Sequence, residues 1–93
     1  KDERKGAELM RVAADRGDPS AQFNLGAMYH QGIGVEQDFK KGMDFYLLAA
    51  DKGNLDAFVN MGGMYRDGQG VDRDYKEAME FFLRAAKEVW GSA

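Results

Sequence analysis

The sequence has 93 residues, no cysteine, and 16 acidic against 13 basic side chains, which gives a net charge of −3. The lack of cysteine excludes disulfides and thiolate metal sites, and the scattered basic residues argue against a nucleic-acid partner. No apolar run approaches the roughly 20 residues of a membrane-spanning helix, so we predict no membrane insertion.

The first predicted element is a helix over residues 5–16. Its sequence pattern occurs twice more in the chain, and we call each of these three helices helix B. The Ala-Ala pair at residues 13–14 returns at 49–50 and again at 85–86, each time 36 residues further along. An internal period of this length is typical of repeat proteins built from helical hairpins. The chain therefore begins inside a repeat.

The next predicted element, helix A, begins at Pro19. Asp18 suits the N-cap, whose side chain accepts backbone N–H bonds, and proline is tolerated at the first helical position. Asn54 takes the N-cap role in the second helix A. Apolar residues recur on one face of both helices, as Ala21, Leu25, Met28 and Tyr29 in the first and as Ala57, Met61, Met64 and Tyr65 in the second.

Two glycine-containing turns, residues 32–35 and 68–71, lead from each helix A to a helix B. Their Gly-x-Gly pattern could suggest a phosphate loop, but the lysine and the serine or threonine of a P-loop are missing, and no strand precedes them. We predict hinges in which the glycines take positive φ and Val35 returns toward the core. Asp38 and Asp74 are predicted to cap helices B over residues 38–52 and 74–89.

The two full repeats are identical at nearly half of their positions. The sequence predicts an all-α fold, an α-solenoid of about five helices in the order B-A-B-A-B, with neighbouring helices antiparallel. We predict one domain over residues 1–93, made of a half repeat at 1–17, full repeats at 18–53 and 54–90, and a tail at 91–93. Close helix contacts are expected at Gly26, Gly62, Ala50 and Ala86, leaving room for the rings of Tyr29 and Tyr65 in the interior.

The repeated pattern A-x-x-x-L-G-x-x-Y-x-x-G-x-G-V-x-x-D-x-x-K resembles the Sel1-like repeat, a relative of the tetratricopeptide repeat. It is present here as Ala21, Leu25, Gly26, Tyr29, Gly32, Gly34, Val35, Asp38 and Lys41. The resemblance covers nearly the whole chain and implies a fragment of a right-handed superhelix. Proteins of this family are adaptors and not generally enzymes. The resemblance therefore implies that this chain is a scaffold that binds a protein or peptide and holds no cofactor or metal.

In tetratricopeptide solenoids, helix A lines the concave face that meets the ligand. Carried onto this chain, the resemblance implies partner-binding residues at Phe23, Asn24, Ala27, His30 and Gln31, and at Val59, Asn60, Gly63, Arg66 and Asp67. The apolar side chains and the amides suit an extended peptide. An equally weighted alternative is that Asn24 and Asn60 bond to a neighbouring helix and only stabilise the stack.

His30 and Arg66 occupy equivalent positions in the two repeats and would together attract an acidic partner. The simpler interpretation is that a histidine near a helix end is only solvated, since its ordinary pKa allows a charge without demanding one.

Patterns that carry catalysis are weak in this sequence. There is one histidine, and the serines are Ser20 and Ser92, without a Ser-x-x-Lys pattern. The Arg-Gly-Asp tripeptide at residues 16–18 is explained by Gly17 ending one helix and Asp18 capping the next. Aspartates such as Asp38 and Asp74 suit helix starts better than a metal cluster. We predict that the protein is not an enzyme.

Two other functions are kept as alternatives: a small immunity or inhibitor protein that blocks a secreted effector enzyme, and an envelope module that binds a glycan. The compartment is unknown, with a bacterial cytoplasm or periplasm favoured. A solenoid that begins at helix B leaves a face against which an earlier helix A would stack, so self-association through that end is a further expectation.

Overall fold

The computed structural model describes residues 3–90, with side chains over 3–88, and contains five helices and no strand in that range. They are α1 (Glu3–Asp15), α2 (Pro19–Gln31), α3 (Phe39–Asp51), α4 (Leu55–Asp67) and α5 (Tyr75–Trp90). The predicted all-α order B-A-B-A-B is confirmed, with α2 and α4 as the two helices A. The predicted tail at 91–93 lies outside the described residues.

The helices begin where side chains can accept the first backbone N–H groups. Asp18 Oδ1 accepts the N–H of Ser20 at 2.9 Å, and Asn54 Oδ1 accepts the N–H three residues further on at 3.0 Å. Asp38 and Asp74 do the same for α3 and α5, at 3.1 and 3.0 Å. All four predicted caps are therefore confirmed, and they set the start of each helix after α1.

The glycine turns are hinges that also fix how the repeats stack. Gly32 and Gly34 have φ of 73° and 77°, and their counterparts in the second turn have 71° and 78°. A Cβ added at Gly34 would meet the backbone of Glu3, and one added at Gly70 would lie 2.7 Å from the Cβ of Phe39. Each turn thus packs on the N-terminal end of the preceding helix B, and the predicted positive φ is confirmed.

Two clusters of buried side chains hold the helices together. Each helix A packs most extensively against the helix B that follows it, so each full repeat is a tight hairpin. The first cluster contains Ala14, Ala21, Leu25 and Tyr29, with Val35 and Phe45 packed against it. The second contains Tyr46, Ala49, Ala50, Ala57, Met61, Met64 and Phe81, with Phe23 and Ala27 packed against it.

Gly26 and Gly62 are points of close helix contact, as predicted. A Cβ added at Gly26 would lie 2.8 Å from the ring of Tyr46 and 3.0 Å from the carbonyl oxygen of Gly42. A Cβ added at Gly62 would lie 2.6 Å from the ring of Phe82. Each glycine therefore leaves room for a ring of the helix B in its own repeat.

Tyr29 lies in the interior as expected, whereas the expected close contact at Ala86 was wrong. Tyr29 is buried and stacks on Phe45 with ring centroids 5.8 Å apart. Tyr65 is half-buried and stacks on Phe81 at 5.6 Å in the same manner. Ala86 is exposed, whereas Ala50, its counterpart, is buried because α4 covers that side of α3.

We predict that Gly26→Ala destabilises the fold by about 1 to 3 kcal/mol, because the added methyl would overlap a buried ring and a backbone carbonyl. Gly63→Ala is the matched control in the other helix A. Its nearest neighbour would be Arg66 Nη2 at an ordinary 3.8 Å, and alanine is favoured over glycine inside a helix by about 0.5 to 1 kcal/mol. Urea unfolding followed by circular dichroism measures both, and a shift of the same sign in the two variants would contradict this packing.

Candidate functional site

The ten predicted partner-binding residues all lie on the helices A, and we call them the helix A face. The exposed members are Asn24, Gln31, Val59, Arg66 and Asp67. The half-buried members are Phe23, Ala27, His30, Asn60 and Gly63. The face is therefore partly a free surface and partly a seam between the repeats.

Phe23 and Ala27 belong to the seam. Both pack against the second core cluster, and the ring of Phe23 lies 5.5 Å from that of Tyr46. Val59, the counterpart of Phe23, is 45% exposed. Of Phe23 and Val59, Val59 therefore has the larger exposed fraction.

A chain of polar side chains connects the two full repeats. Tyr46 is fully buried, and its hydroxyl accepts the Asn60 Nδ2–H at 3.3 Å and lies 3.2 Å from His30 Nδ1. His30 Nε2 lies 2.8 Å from Gln69 Oε1 in the turn after α4. A neutral His30 with its proton on Nε2 fits both of its contacts, since it donates to Gln69 Oε1 and accepts from the tyrosine hydroxyl. The chain thus runs from Asn60 through Tyr46 and His30 to Gln69.

The environment of Tyr46 favours its neutral form. Burial raises the pKa of Tyr46 above its ordinary value, and the hydrogen bond from Asn60 opposes part of that rise. A neutral hydroxyl is also the form that can donate to His30 while it accepts from Asn60. Burial and the hydrogen bond to His30 therefore both favour the neutral hydroxyl of Tyr46.

His30 is not a solvated residue at a helix end, so that expectation was wrong. Its ring is half-buried, both nitrogens are bonded, and its ring makes edge contacts with those of Phe39 at 5.6 Å and Tyr46 at 5.9 Å. The sequence reasoning missed Tyr46 and Gln69 as partners. The available signal was that both break the repeat: Phe82 stands where Tyr46 would recur, and Ile33 stands opposite Gln69.

The two asparagines have different environments. Asn60 bonds to Tyr46 of α3, so for this residue the stack-stabilising alternative describes the contact. Asn24 is exposed, and its amide nitrogen is 4.0 Å from the sulfur of Met10, which stands where Tyr46 stands in the next repeat. A thioether is a weak acceptor. The amide of Asn24 is therefore the freer of the two.

The charges at the end of α4 neutralise each other. Arg66 donates to both carboxylate oxygens of Asp67, at 3.1 and 3.3 Å, with the two side chains about half exposed. The hydrogen bond from Arg66 lowers the pKa of Asp67. With His30 already bonded on both nitrogens, the pair His30 and Arg66 gives no unbalanced positive site for an acidic partner.

Residues 3–90 contain no cluster of three or more histidine, aspartate or glutamate side chains arranged to hold a metal. None of the helices there has the length and apolar character needed to traverse a bilayer.

A family model described as Sel1 repeat matches residues 1–18, 19–54 and 56–88. The chain belongs to the Sel1 repeat family. This confirms the resemblance seen in the repeated motif. Sel1 repeat proteins generally mediate protein–protein interactions, and they are typically non-catalytic scaffolds.

Solved structures of other Sel1 repeat proteins have the same fold. A Sel1 repeat protein from Oxalobacter formigenes is 38% identical with a TM-score of 0.88, and the alignment covers 92% of this chain and 25% of that one. A protective antigen present in uropathogenic Escherichia coli strains, which displays an SLR fold, is 39% identical with a TM-score of 0.87, covering 91% and 18%. This chain thus spans a quarter or less of each. Among curated proteins, none matches the sequence.

We predict that Tyr46→Phe destabilises the protein by about 1 to 3 kcal/mol, because His30 and Asn60 then lose their shared partner in a buried place. Tyr75→Phe is the control. Tyr75 is 63% exposed and its hydroxyl makes one bond, with Arg73, so its loss should change stability by less than about 0.5 kcal/mol. Equal losses in urea unfolding would contradict the role given to the buried hydroxyl.

The raised pKa of Tyr46 predicts a loss of stability in alkali. The folded state holds this proton more tightly than the unfolded state, so the contribution is complete below the ordinary value of 10.0 and is lost as the pH rises through the folded-state pKa. The stability advantage of wild type over Tyr46→Phe should therefore shrink above about pH 10. Urea unfolding of both proteins across this range measures it. An advantage that stays constant would show that this tyrosine is not the group responsible.

Proposed function

We propose that this chain is a non-catalytic interaction module that binds a peptide or protein partner on the helix A face. The observation that carries the proposal is that the two helices A expose an amide at Asn24, bonded only to the weak acceptor Met10 Sδ, and an apolar side chain at Val59. An amide offers donors and an acceptor to a partner's main chain, and an exposed valine offers apolar contact. A peptide carries both kinds of group.

The half-buried residues of the helix A face support binding in a different way. The ring of Phe23 packs on Tyr46, and His30 and Asn60 lie within hydrogen-bonding distance of its hydroxyl. These contacts hold the two helices A at one spacing in the absence of a partner. A surface that is already ordered loses little conformational entropy on binding. This rigidity favours a recognition surface over a surface that folds around its partner.

Binding of displayed random peptides to the 93-residue chain tests the proposal. For each selected peptide, fluorescence anisotropy would give the Kd for wild type, Asn24→Arg and Val59→Glu. We expect about tenfold weaker binding or more for both variants, because each places a bulky or charged side chain on the contact surface. Phe23→Ala is unsuitable here, since Phe23 packs against Tyr46 and its loss would affect folding.

Leu47→Glu is the matched control for Val59→Glu. Leu47 lies on a helix B and is 48% exposed, close to the 45% of Val59, so the same change is made at the same exposure away from the face. Peptide binding should be unchanged in this variant. Selected peptides that lose affinity with Leu47→Glu, but not with the two helix A variants, would overturn the proposal.

A further inference from the structure

A cleft of about 300 Å³ lies between α1, α2 and the glycine turn that follows α2. None of the residues of the helix A face lines it. Its apolar wall is formed by the buried residues Ala7, Leu25 and Tyr29 and by the half-buried Val35. Pockets that bind small molecules begin at about this volume and combine mostly apolar walls with a few polar groups. The cleft therefore has the size and the lining of a site for a small ligand.

The cleft is left open by a short side chain on α1. One repeat further along, Ala7 is replaced by Met43, whose side chain packs against the second core cluster. Alanine ends at its Cβ, so the space that the methionine takes up in α3 remains open in α1. Arg11, which also lines the cleft, is replaced by Leu47 in the same way. An open gap beside a buried wall lacks dispersion contacts that an apolar ligand would supply.

The polar groups of the cleft favour an anion. Arg4 and Arg11 line it together with one acid, Glu8. Arg11 Nη1 donates to the Tyr29 hydroxyl at 3.4 Å, and a guanidinium has several further N–H donors for a ligand. Lys41 Nζ lies 5.4 Å from the centre of the Tyr29 ring and adds positive charge nearby. The protein has a net charge of −3, yet positive charge is in excess at this cleft.

The two ends of the cleft differ in charge. Beyond Arg4 it continues into a hollow that is also lined by Glu3 and Glu36, and these carboxylates would repel an anion. Arg11 lies about two helical turns away from Arg4 on α1. The planar guanidinium presents its N–H groups as a fork that matches a carboxylate. A single carboxylate therefore fits best at the Arg11 end.

We propose that this cleft binds a small monocarboxylate with an apolar body, either a short aliphatic chain or one aromatic ring. The carboxylate accepts hydrogen bonds from Arg11, and the apolar body lies against Ala7 and Tyr29. The site is separate from the helix A face, so this inference does not depend on the proposed function and can fail without it.

Titration of the 93-residue chain with phenylacetate and with hexanoate, followed by amide chemical shifts, tests the site. We expect saturable shifts along residues 7–11 and 34–35 with at least one of them. The uncharged phenylacetamide and hexanamide should bind about tenfold more weakly or less, and acetate, which lacks the apolar body, should not saturate the site at the same concentration. No saturation with either carboxylate, or equal affinity for the amides, would overturn the proposal.

Two variants introduce the residues of the second repeat. Ala7→Met should close the cleft and weaken carboxylate binding about tenfold or more. Arg11→Leu should bring the carboxylate and its amide to similar affinities. The matched control is Arg84→Leu, because Arg84 is also an exposed arginine of a helix B beside an aromatic ring, with Cζ 5.9 Å from the centre of Phe81. It should leave binding unchanged. Circular dichroism checks that each variant is folded.

Glu8→Gln gives a readout of the opposite sign. Removing the acid that lines the cleft should tighten carboxylate binding about threefold or more, since a repulsive charge is lost. Phenylglycine, which adds an ammonium group to phenylacetate, should bind wild type no better than phenylacetate does. Tighter binding of phenylglycine that is lost in Glu8→Gln would overturn the ligand class in favour of an amino acid.

The location of the site is tested by the variants alone. Carboxylates that bind Ala7→Met and Arg11→Leu as tightly as wild type would overturn the cleft as the site, even if their binding is saturable. If Ala7→Met is not folded, Arg11→Leu decides, because its side chain is exposed and the fold already accepts leucine at the equivalent position in α3.

Discussion

The buried ring of Tyr46 is the contact on which the arrangement of the two full repeats depends. Within its own repeat it lies against Gly26, so α2 and α3 pack as closely as a missing Cβ allows. Its hydroxyl is bonded to His30 of the same repeat and to Asn60 of the next. Because an unpaired buried hydroxyl is costly, the partners on both sides must keep their places. One side chain thereby fixes the hairpin and the spacing between hairpins.

Most of the fold could be predicted because helix caps and glycine turns depend on residues close together in the sequence, and because both occur in each of the two full repeats. Asp18 caps α2 through N–H groups two and three residues away, and Gly34 needs only its own positive φ to form the hinge. The polar chain was not predictable in the same way. His30 and Gln69 are 39 residues apart, and Gln69 breaks the repeat. Which ring would occupy the space at Gly26 was also undetermined, since both Tyr29 and Tyr46 are large enough to fill it.

The sequence placed the ten candidate residues on the helices A but did not predict the surroundings of each. The resemblance placed ten residues on the helices A, and five of them are exposed. Among the others, Phe23, His30 and Asn60 are half-buried where they contact Tyr46 of α3. Asn24 and Asn60 are the same residue at equivalent repeat positions, but their neighbours differ. The residue facing each amide belongs to the preceding helix B, where Met10 in one repeat is replaced by Tyr46 in the next.

That inequality between the asparagines has a consequence for any ligand that lies along both helices A. If the two repeats had the same surface, a ligand could bind equally well after a shift by one repeat, and its alignment would be ambiguous. Here a shift would exchange an amide held only by a thioether for one bonded to a hydroxyl, and the packed methyl of Ala27 for the glycine at residue 63. Specificity is a difference between affinities. Small departures from the repeat thus make the two repeats unequal surfaces for a ligand that lies along both of them.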